Sequence, residues 1–470
     1  MRKVLAVLAA GVSLALALTA PAPAADQPAA WSVPSDAEIQ KILADRIDTR
    51  HQGVGIVVGL IDAHGRRIVS YGALNQGDAR PLNGDTVFEI GSASKVFTTL
   101  LLSEMVQNGE VRLDDPAAKY LPSGDTLPER GGKQITLIDL ATHTSGLPRL
   151  PGNFAPKDMG NPYADYTTDQ LYSFLSHYTL TRDIGSKYEY SNLGVGLLGD
   201  LLANRSGKSY EAMVRDGITG PLGMKSTVVT LTPALQARLA VGHDATLKAV
   251  PNWDLPALEG AGALRSTGND LLTFLGAELG YEKTPLKAAM AAQLEPRRPT
   301  GIPGLEIALG WHVLTKIDGG LVWHNGGTGG YRSFMAFDPK TGVGVVVLSN
   351  VSDEHGVDDI GLHILAGTPL LPAPVVHHVV AVDEKTLQRY VGAYQLGQAV
   401  ITVTRDGDRL FATTPGQPAF ELFPEGPNAF FLRVEEAQVT FIVDKSGAVT
   451  ALVLHKAGAD FTAPKVAAKP

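Results

Sequence analysis

The chain has 470 residues, 44% of them hydrophobic and 19% charged, with a formal net charge of −8 and no cysteine. That length exceeds one ordinary core, so two or three domains of soluble globular type are expected. Mild acidity with no long basic stripe argues against a nucleic-acid partner, and the lack of cysteine excludes disulfides, thiolate metal sites and a lipid-modified cysteine anchor.

In chain order, Met1-Arg2-Lys3 precedes an apolar run from Val4 to Ala20, then Ala22-Pro23-Ala24-Ala25. A basic start, an apolar middle and a small-residue site describe a secretory signal peptide. It is expected to occupy residues 1–25, with cleavage near Ala24 or Ala25. The alternative is an uncleaved anchor, for which the run is only marginally long enough. Cleavage removes Arg2 and Lys3 and takes the net charge to −10. The expected product is exported, periplasmic or secreted, with no stable membrane span, and is held together by its core rather than by disulfides.

Val54 to Leu60 is a short apolar run, and Arg66 to Tyr71 follows the Asp62-Ala63-His64-Gly65 turn, so two strands are expected there. From Ser92 to about Leu279 the patterns are mostly helical, as in Leu171 to Tyr178 and Leu193 to Arg205. Strands return over Ile307–Leu314, Leu321–His324, Tyr331–Phe337 and Val343–Ser349, joined by short turns that imply antiparallel pairing. The fold class expected is α/β: an antiparallel sheet flanked by helices, with an all-helical insert over about 100–290, and the functional cleft between the two. The first domain is placed at 26–368 and a linker rich in Pro at 369–382. Short alternating runs such as Val400-Ile401-Thr402-Val403 and Val439-Thr440-Phe441-Ile442-Val443 make 383–470 a small, barrel-like all-β domain.

Three stretches carry chemistry. Gly91-Ser92-Ala93-Ser94-Lys95 opens an apolar helical run. At a spacing of three, Ser92 and Lys95 share a helix face, near the N–H groups that favour developing negative charge. A lysine of ordinary pKa gives up about 4–5 kcal/mol to be neutral at pH 7; burial, a nearby cation or a partner sharing the proton lowers that cost. Tyr190-Ser191-Asn192, just before a helix, offers such a partner in Tyr190 and an amide in Asn192 that both donates and accepts. The same three residues also describe a helix cap. The third stretch is Trp323-His324-Asn325-Gly326-Gly327-Thr328-Gly329-Gly330-Tyr331, a strand ending in a polar residue and running into glycines. Glycine lets backbone approach a ligand closely, and the N–H of Gly327 with that of Ser92 is a candidate oxyanion hole. Each stretch alone also fits a capped helix or a plain Gly-rich hairpin.

Taken together, Ser-x-x-Lys, Tyr-x-Asn and His-x-Gly, in that order, resemble the penicillin-recognising serine hydrolases: class C β-lactamases, their D,D-peptidase relatives and family VIII carboxylesterases. Leu140-Ala141-Thr142-His143-Thr144-Ser145-Gly146-Leu147 and Gly260-Ala261-Gly262-Ala263-Leu264-Arg265-Ser266-Thr267 resemble further segments of that family, and the likeness covers about Val54 to Leu365. The tail resembles the lipocalin-like domain appended to some members. The resemblance implies an acyl-enzyme at Ser92, with Lys95 and Tyr190 as base and acid. It implies substrate binding by Asn192, His324, Gly326 and Gly327. It implies no cofactor and no metal. The substrate implied is a small molecule or a peptidoglycan-derived D-alanyl-D-alanine amide or β-lactam. The alternatives are a carboxylesterase on small acyl esters and a slowly deacylating penicillin-binding sensor. Oligomeric state is not readable.

His324 stands where most class C β-lactamases carry lysine. With an ordinary histidine pKa, affinity for anionic substrates is expected to fall as pH rises through about 6.5. The literal Lys340-Thr341-Gly342 follows Asp338-Pro339 and reads as a hairpin turn. His143 is expected to be structural. His377-His378 and Asp353-Glu354-His355 lack metal-motif spacing and are expected on the solvated surface. No Gly-x-Ser-x-Gly elbow occurs.

Overall fold

The computed structural model describes residues 31–467 apart from 318, 354, 374–376, 378, 398, 415–418, 433–436, 457 and 458. The expected signal peptide, Glu354 and His378 lie outside the described residues. The chain divides into two compact units, Met1–Pro372 and Ala373–Pro470.

The first unit is built on an eight-stranded sheet whose neighbours all pair antiparallel. From one edge the order is Gly65–Gly72, Gly55–Asp62, Val343–Ser349, Arg332–Asp338, Leu321–Gly327, His312–Leu314, Leu305–Ile307 and Arg298–Pro299. Side chains alternate between faces along a strand. Ile56, Val58 and Leu60 enter one core, beneath the Asp36–Ala44 and Asp358–Ala366 helices, while Val57 and Ile61 enter the larger core on the helical side. Both faces are covered, which is why these strands read as continuous apolar runs rather than as alternation.

The Ser94–Gln107 helix is the axis of the helical side. It is buried around nearly its whole circumference, Lys95 included, as expected of a helix that is apolar all round. The Asn192–Ser206 helix, capped by the Ser191 hydroxyl and ended by Gly207 in the left-handed conformation, packs beside it.

Two expectations are corrected. The insert is not all-helical: Arg265–Thr267 pairs antiparallel with Val87–Glu89, and His243–Asp244 pairs parallel with Val351–Ser352. Strands of two or three residues are too short to print an alternating pattern. The stretch expected as one strand, Ile307–Leu314, is two, because Ala308–Trp311 turns back on itself through Gly310 at φ 72°.

The Val87–Glu89 strand sits directly before the Gly91–Ala93 turn that carries Ser92, and its pairing is anchored by charge. Buried Arg265 donates to Glu89 Oε1 (3.3 Å), the Trp253 carbonyl (2.6 Å) and Asp254 Oδ1 (3.1 Å). Burial raises the Glu89 pKa, and Arg265 opposes that rise. Removing one partner of a buried pair leaves an uncompensated charge. Arg265→Ala is therefore expected to destabilise the first unit by about 3–5 kcal/mol, read as a drop in denaturant midpoint, with Glu89→Gln in the same chain recovering part of the loss. Equal midpoints for wild type and Arg265→Ala would refute it.

The second unit opens with the Glu384–Tyr390 helix and closes an eight-stranded barrel from Gly392–Leu396 to Ala459–Val466, each strand pairing with the next and the last with the first. Its core contains Tyr390, Tyr394, Phe430 and Phe441. His377, expected as solvated surface, is half-buried in this unit, paired with Glu425 and stacked on Phe431. Asp353, in the first unit, is buried too; it accepts from Gln52 Nε2 (3.0 Å) and the Gly356 N–H (2.7 Å).

Candidate active site

Ser92 lies in a single 3₁₀ turn, Gly91–Ala93, which continues into the Ser94–Gln107 helix. The turn approaches the Leu321–Gly327 strand so closely that glycine is required at both contacts. Gly91 has φ 49°, and a Cβ there would lie 2.7 Å from the Gly327 nitrogen. A Cβ on Gly326 would lie 1.9 Å from the Ile90 carbonyl oxygen. Gly326, expected to bind substrate, is thus a buried packing position, and it acts by letting the strand reach the turn.

Lys95 is fully buried. Its Nζ is 2.9 Å from Ser92 Oγ, 2.9 Å from Asn192 Oδ1 and 2.6 Å from the Ala261 carbonyl oxygen. The amide oxygen and the carbonyl only accept, whereas the hydroxyl can also donate. A neutral amine gives its two protons to the two obligate acceptors and turns its lone pair to the Ser92 hydroxyl. Burial first, and then the Arg149 cation, hold the Lys95 pKa well below the ordinary lysine value, in the direction this arrangement needs.

The Tyr190 hydroxyl is near enough to the Ser92 side chain to interact with it, and its ring centroid is 4.9 Å from Lys95 Nζ. Burial pushes its pKa up, so it stands as a neutral phenol. The segment is fixed from behind by His143, which is buried and held at φ 57°. A left-handed backbone at a non-glycine residue costs about 1–3 kcal/mol. His143 Nδ1 accepts the Ser191 N–H at 3.1 Å, and its ring lies 4.6 Å from that of Tyr190. The structural role expected of His143 is therefore specific: it positions the tyrosine. Asn192 Nδ2 reaches the Tyr163 hydroxyl at 3.5 Å.

His324 is buried, with Nδ1 2.6 Å from the Asn325 carbonyl oxygen. Burial, then His312 and Lys95, hold its pKa well below 6.5. This overturns the expected titration near pH 6.5, since a histidine in that environment stays neutral throughout the physiological range. His324 belongs to a closed loop of rings: Tyr190 to His143 (4.6 Å), His143 to Tyr188 (5.6 Å), Tyr188 to His312 (6.2 Å), His312 to His324 (5.2 Å) and His324 to Tyr190 (6.4 Å). The Tyr188 hydroxyl is 3.0 Å from His312 Nε2, and burial lowers the His312 pKa to about 4.

The Gly327 N–H faces the cleft by backbone alternation. The Thr328 N–H donates to the Tyr331 carbonyl at 3.1 Å, on the Arg332–Asp338 side. One residue back, the Gly327 N–H points the opposite way. On that side the His312–Leu314 strand pairs only as far as Trp323, so the position is open. Sequence reasoning missed the Ala261 carbonyl, Tyr163, Tyr188, His312 and Arg149. Tyr188 was detectable, two residues before Tyr190 in the same stretch; the carbonyl carries no residue-type signal at all.

Lys340 sits in the turn beyond Asp338, where its N–H donates to Asp338 Oδ1 at 2.8 Å. Arg332, at the other end of that strand, pairs with Gly327, so the turn is about 20 Å from the site. Lys340→Ala is expected to leave kcat/KM within about twofold of wild type; a tenfold fall in a steady-state assay would contradict the placement.

The fold is that of a serine hydrolase, and its Ser92 lies against a lysine rather than a histidine. Residues 39–367 match the Beta-lactamase family, and the chain belongs to it. Residues 377–468 match a domain of unknown function, DUF3471. The chain is 32% identical over 351 residues to the D-alanyl-D-alanine-carboxypeptidase/endopeptidase AmpH of Escherichia coli K12, covering 70% of this chain and 89% of that protein. Penicillin-binding protein 4* of Bacillus subtilis is 28% identical over 447 residues, covering 89% of this chain and 96% of that one. Among solved structures, a beta-lactamase/D-alanine carboxypeptidase from Yersinia pestis, complexed with citrate, superposes with TM-score 0.59 at 29% identity, over 68% of this chain and 95% of that one. A class C beta lactamase from Rhodobacter sphaeroides gives TM-score 0.58 at 27% identity, over 68% and 94%.

Proposed function

We propose that Ser92 attacks the carbonyl of a β-lactam or a D-alanyl-D-alanine-type amide and forms an acyl-enzyme that water then hydrolyses. The observation that carries this is the buried Lys95 amine, 2.9 Å from Ser92 Oγ, with two obligate acceptors on its other side. Neutral Lys95 takes the Ser92 proton as the Oγ–C bond forms. Tyr190, a neutral phenol, passes a proton to the leaving amine as the C–N bond breaks and regains one from the Lys95 ammonium, which returns Lys95 to the neutral form for deacylation. The N–H groups of Ser92 and Gly327 stabilise the oxyanion, a role supported by the unpaired direction of the Gly327 N–H. Asn192 binds the acyl amide. His324 lines the leaving-group end without a charge of its own.

The hydrolase domain is proposed to span 26–368, followed by a linker at 369–382 and the barrel domain at 383–470. No helix among the described residues is long and apolar enough to cross a membrane. Export after cleavage near Ala24 or Ala25 is proposed from the N-terminal sequence.

A neutral His324 weakens any grip on a leaving-group carboxylate, and this specific feature favours ester hydrolysis as the second reading. Fluorescent penicillin with time-resolved gel readout separates the outcomes. Transient label with product marks a lactamase, and persistent label marks a slow peptidase or sensor. Absence of label at every time removes the penicillin-recognising reading. A nitrophenyl ester assay alongside measures the esterase.

A further inference from the structure

The charges around the nucleophile are one-sided. Arg149 acts on Lys95, His143, Tyr163, Tyr188 and Tyr190, and no carboxylate is among the groups acting on Lys95 or Tyr190. The acid nearest in sequence to Tyr190, Glu189, is already paired with Arg182 at 2.7 Å. Other arginines around the site are engaged as well. Arg332 donates to Ser352 Oγ (2.6 Å), Arg298 to Asp139 (2.8 Å), and Arg265 to Glu89 and Asp254.

Arg149 differs. It is exposed, and its guanidinium carbon lies 5.2 Å from the Tyr190 ring centroid. Among the described residues the guanidinium makes no hydrogen bond or ion pair. Its backbone is nevertheless fixed, because the Arg149 carbonyl accepts the N–H groups of Asn192 (3.0 Å) and Leu193 (3.1 Å). This leaves a planar, permanently charged fork beside Tyr190, on the segment whose backbone holds Asn192. Whereas both terminal nitrogens of the buried Arg265 find acceptors, those of Arg149 have none among the described residues, and a carboxylate matches their geometry.

We infer that Arg149 is a specificity-determining residue that binds a carboxylate on the acyl side of the substrate, so that the site selects acyl groups carrying a negative charge. The inference rests on the acyl-enzyme reading of Ser92. It assigns the anion preference to Arg149, and away from neutral His324. Substrates of this class are peptides with an acidic side chain or free carboxylate on the acyl side of the scissile bond, and half-esters of dicarboxylic acids.

The test compares the full-length protein and its Arg149→Ala and Arg149→Lys variants on two nitrophenyl esters of similar acyl length, the butyrate and the glutarate half-ester. At pH 8 and low salt, Arg149→Ala is expected to lower kcat/KM for the half-ester about tenfold more than for the butyrate, the difference lying chiefly in KM. Arg149→Lys should retain part of the half-ester rate. Added sodium chloride should erode the half-ester preference of the wild type and leave Arg149→Ala unchanged. Equal losses on both esters would show that Arg149 acts through Lys95 or the fold, and would overturn the inference. So would a wild type that treats the two esters alike at every salt concentration. If the wild type turns over neither ester and takes no penicillin label, the Ser92 reading fails and the inference with it.

Discussion

Replacing Ser92 with alanine is expected to abolish turnover, with kcat falling by about 10⁴-fold or more. The size follows from what is lost. Lys95, Tyr190 and Asn192 all converge on the Ser92 hydroxyl or on its immediate partner, and none of them is a nucleophile positioned to replace it. Groups that act as one unit show losses that do not add. Ser92→Ala combined with Lys95→Ala should therefore be scarcely worse than Ser92→Ala alone. Intact-mass spectrometry after incubation with penicillin provides the second readout. Wild type should gain one acyl adduct, and Ser92→Ala none. An adduct of undiminished yield on the variant would place the nucleophile elsewhere.

Lys95→Arg is expected to lower kcat/KM by about 10³-fold or more, in the upper part of the range for removal of a general base. A guanidinium remains charged and cannot take the Ser92 proton, and it is larger than the amine it replaces in a fully buried position. The pH dependence carries the sharper test. The folded pKa of Lys95 lies well below its ordinary value, and the neutral form is the working one. Activity should therefore fall as pH drops through that lowered pKa and stay flat above it. No further rise is expected as pH approaches 10.5, the ordinary value for a free lysine. A kcat/KM profile on a neutral ester that keeps climbing to pH 10 would mean that Lys95 is charged in the resting enzyme. His324, held neutral by burial, should contribute no inflection near pH 6.5.

The meeting of Ser92, Lys95 and Asn192 was legible because its signals are local. Ser92 and Lys95 are three residues apart, Tyr190 and Asn192 two, and His324 and Gly327 three; such spacings carry their own geometry. The strand pairs in the main sheet were readable for the same reason, since tight turns leave little choice of partner. What escaped was long-range or non-side-chain. The Ala261 carbonyl that fixes Lys95 lies 166 residues away from it. The environment of His324 is set by His312 and Tyr190, on other elements, so its burial and neutrality had no sequence signature. Gly326 looked like a ligand contact because close approach of backbone to ligand and close approach of backbone to backbone call for the same residue. The two short strands of the helical region were lost for want of length.

The contact between Gly91 and Gly327 bears on how this scaffold can change. The turn that carries Ser92 and the strand meet main chain to main chain, with no side chain between them. A distance set that way cannot be retuned by exchanging one residue for a slightly larger or smaller one, since the smallest increment, a single methyl, already collides. Variation that preserves chemistry is therefore confined to groups at the rim of the cleft, such as the exposed Arg149. The reacting centre is mutationally rigid, the rim is free to drift, and a population of such proteins can diversify in what they accept while keeping one way of attacking it.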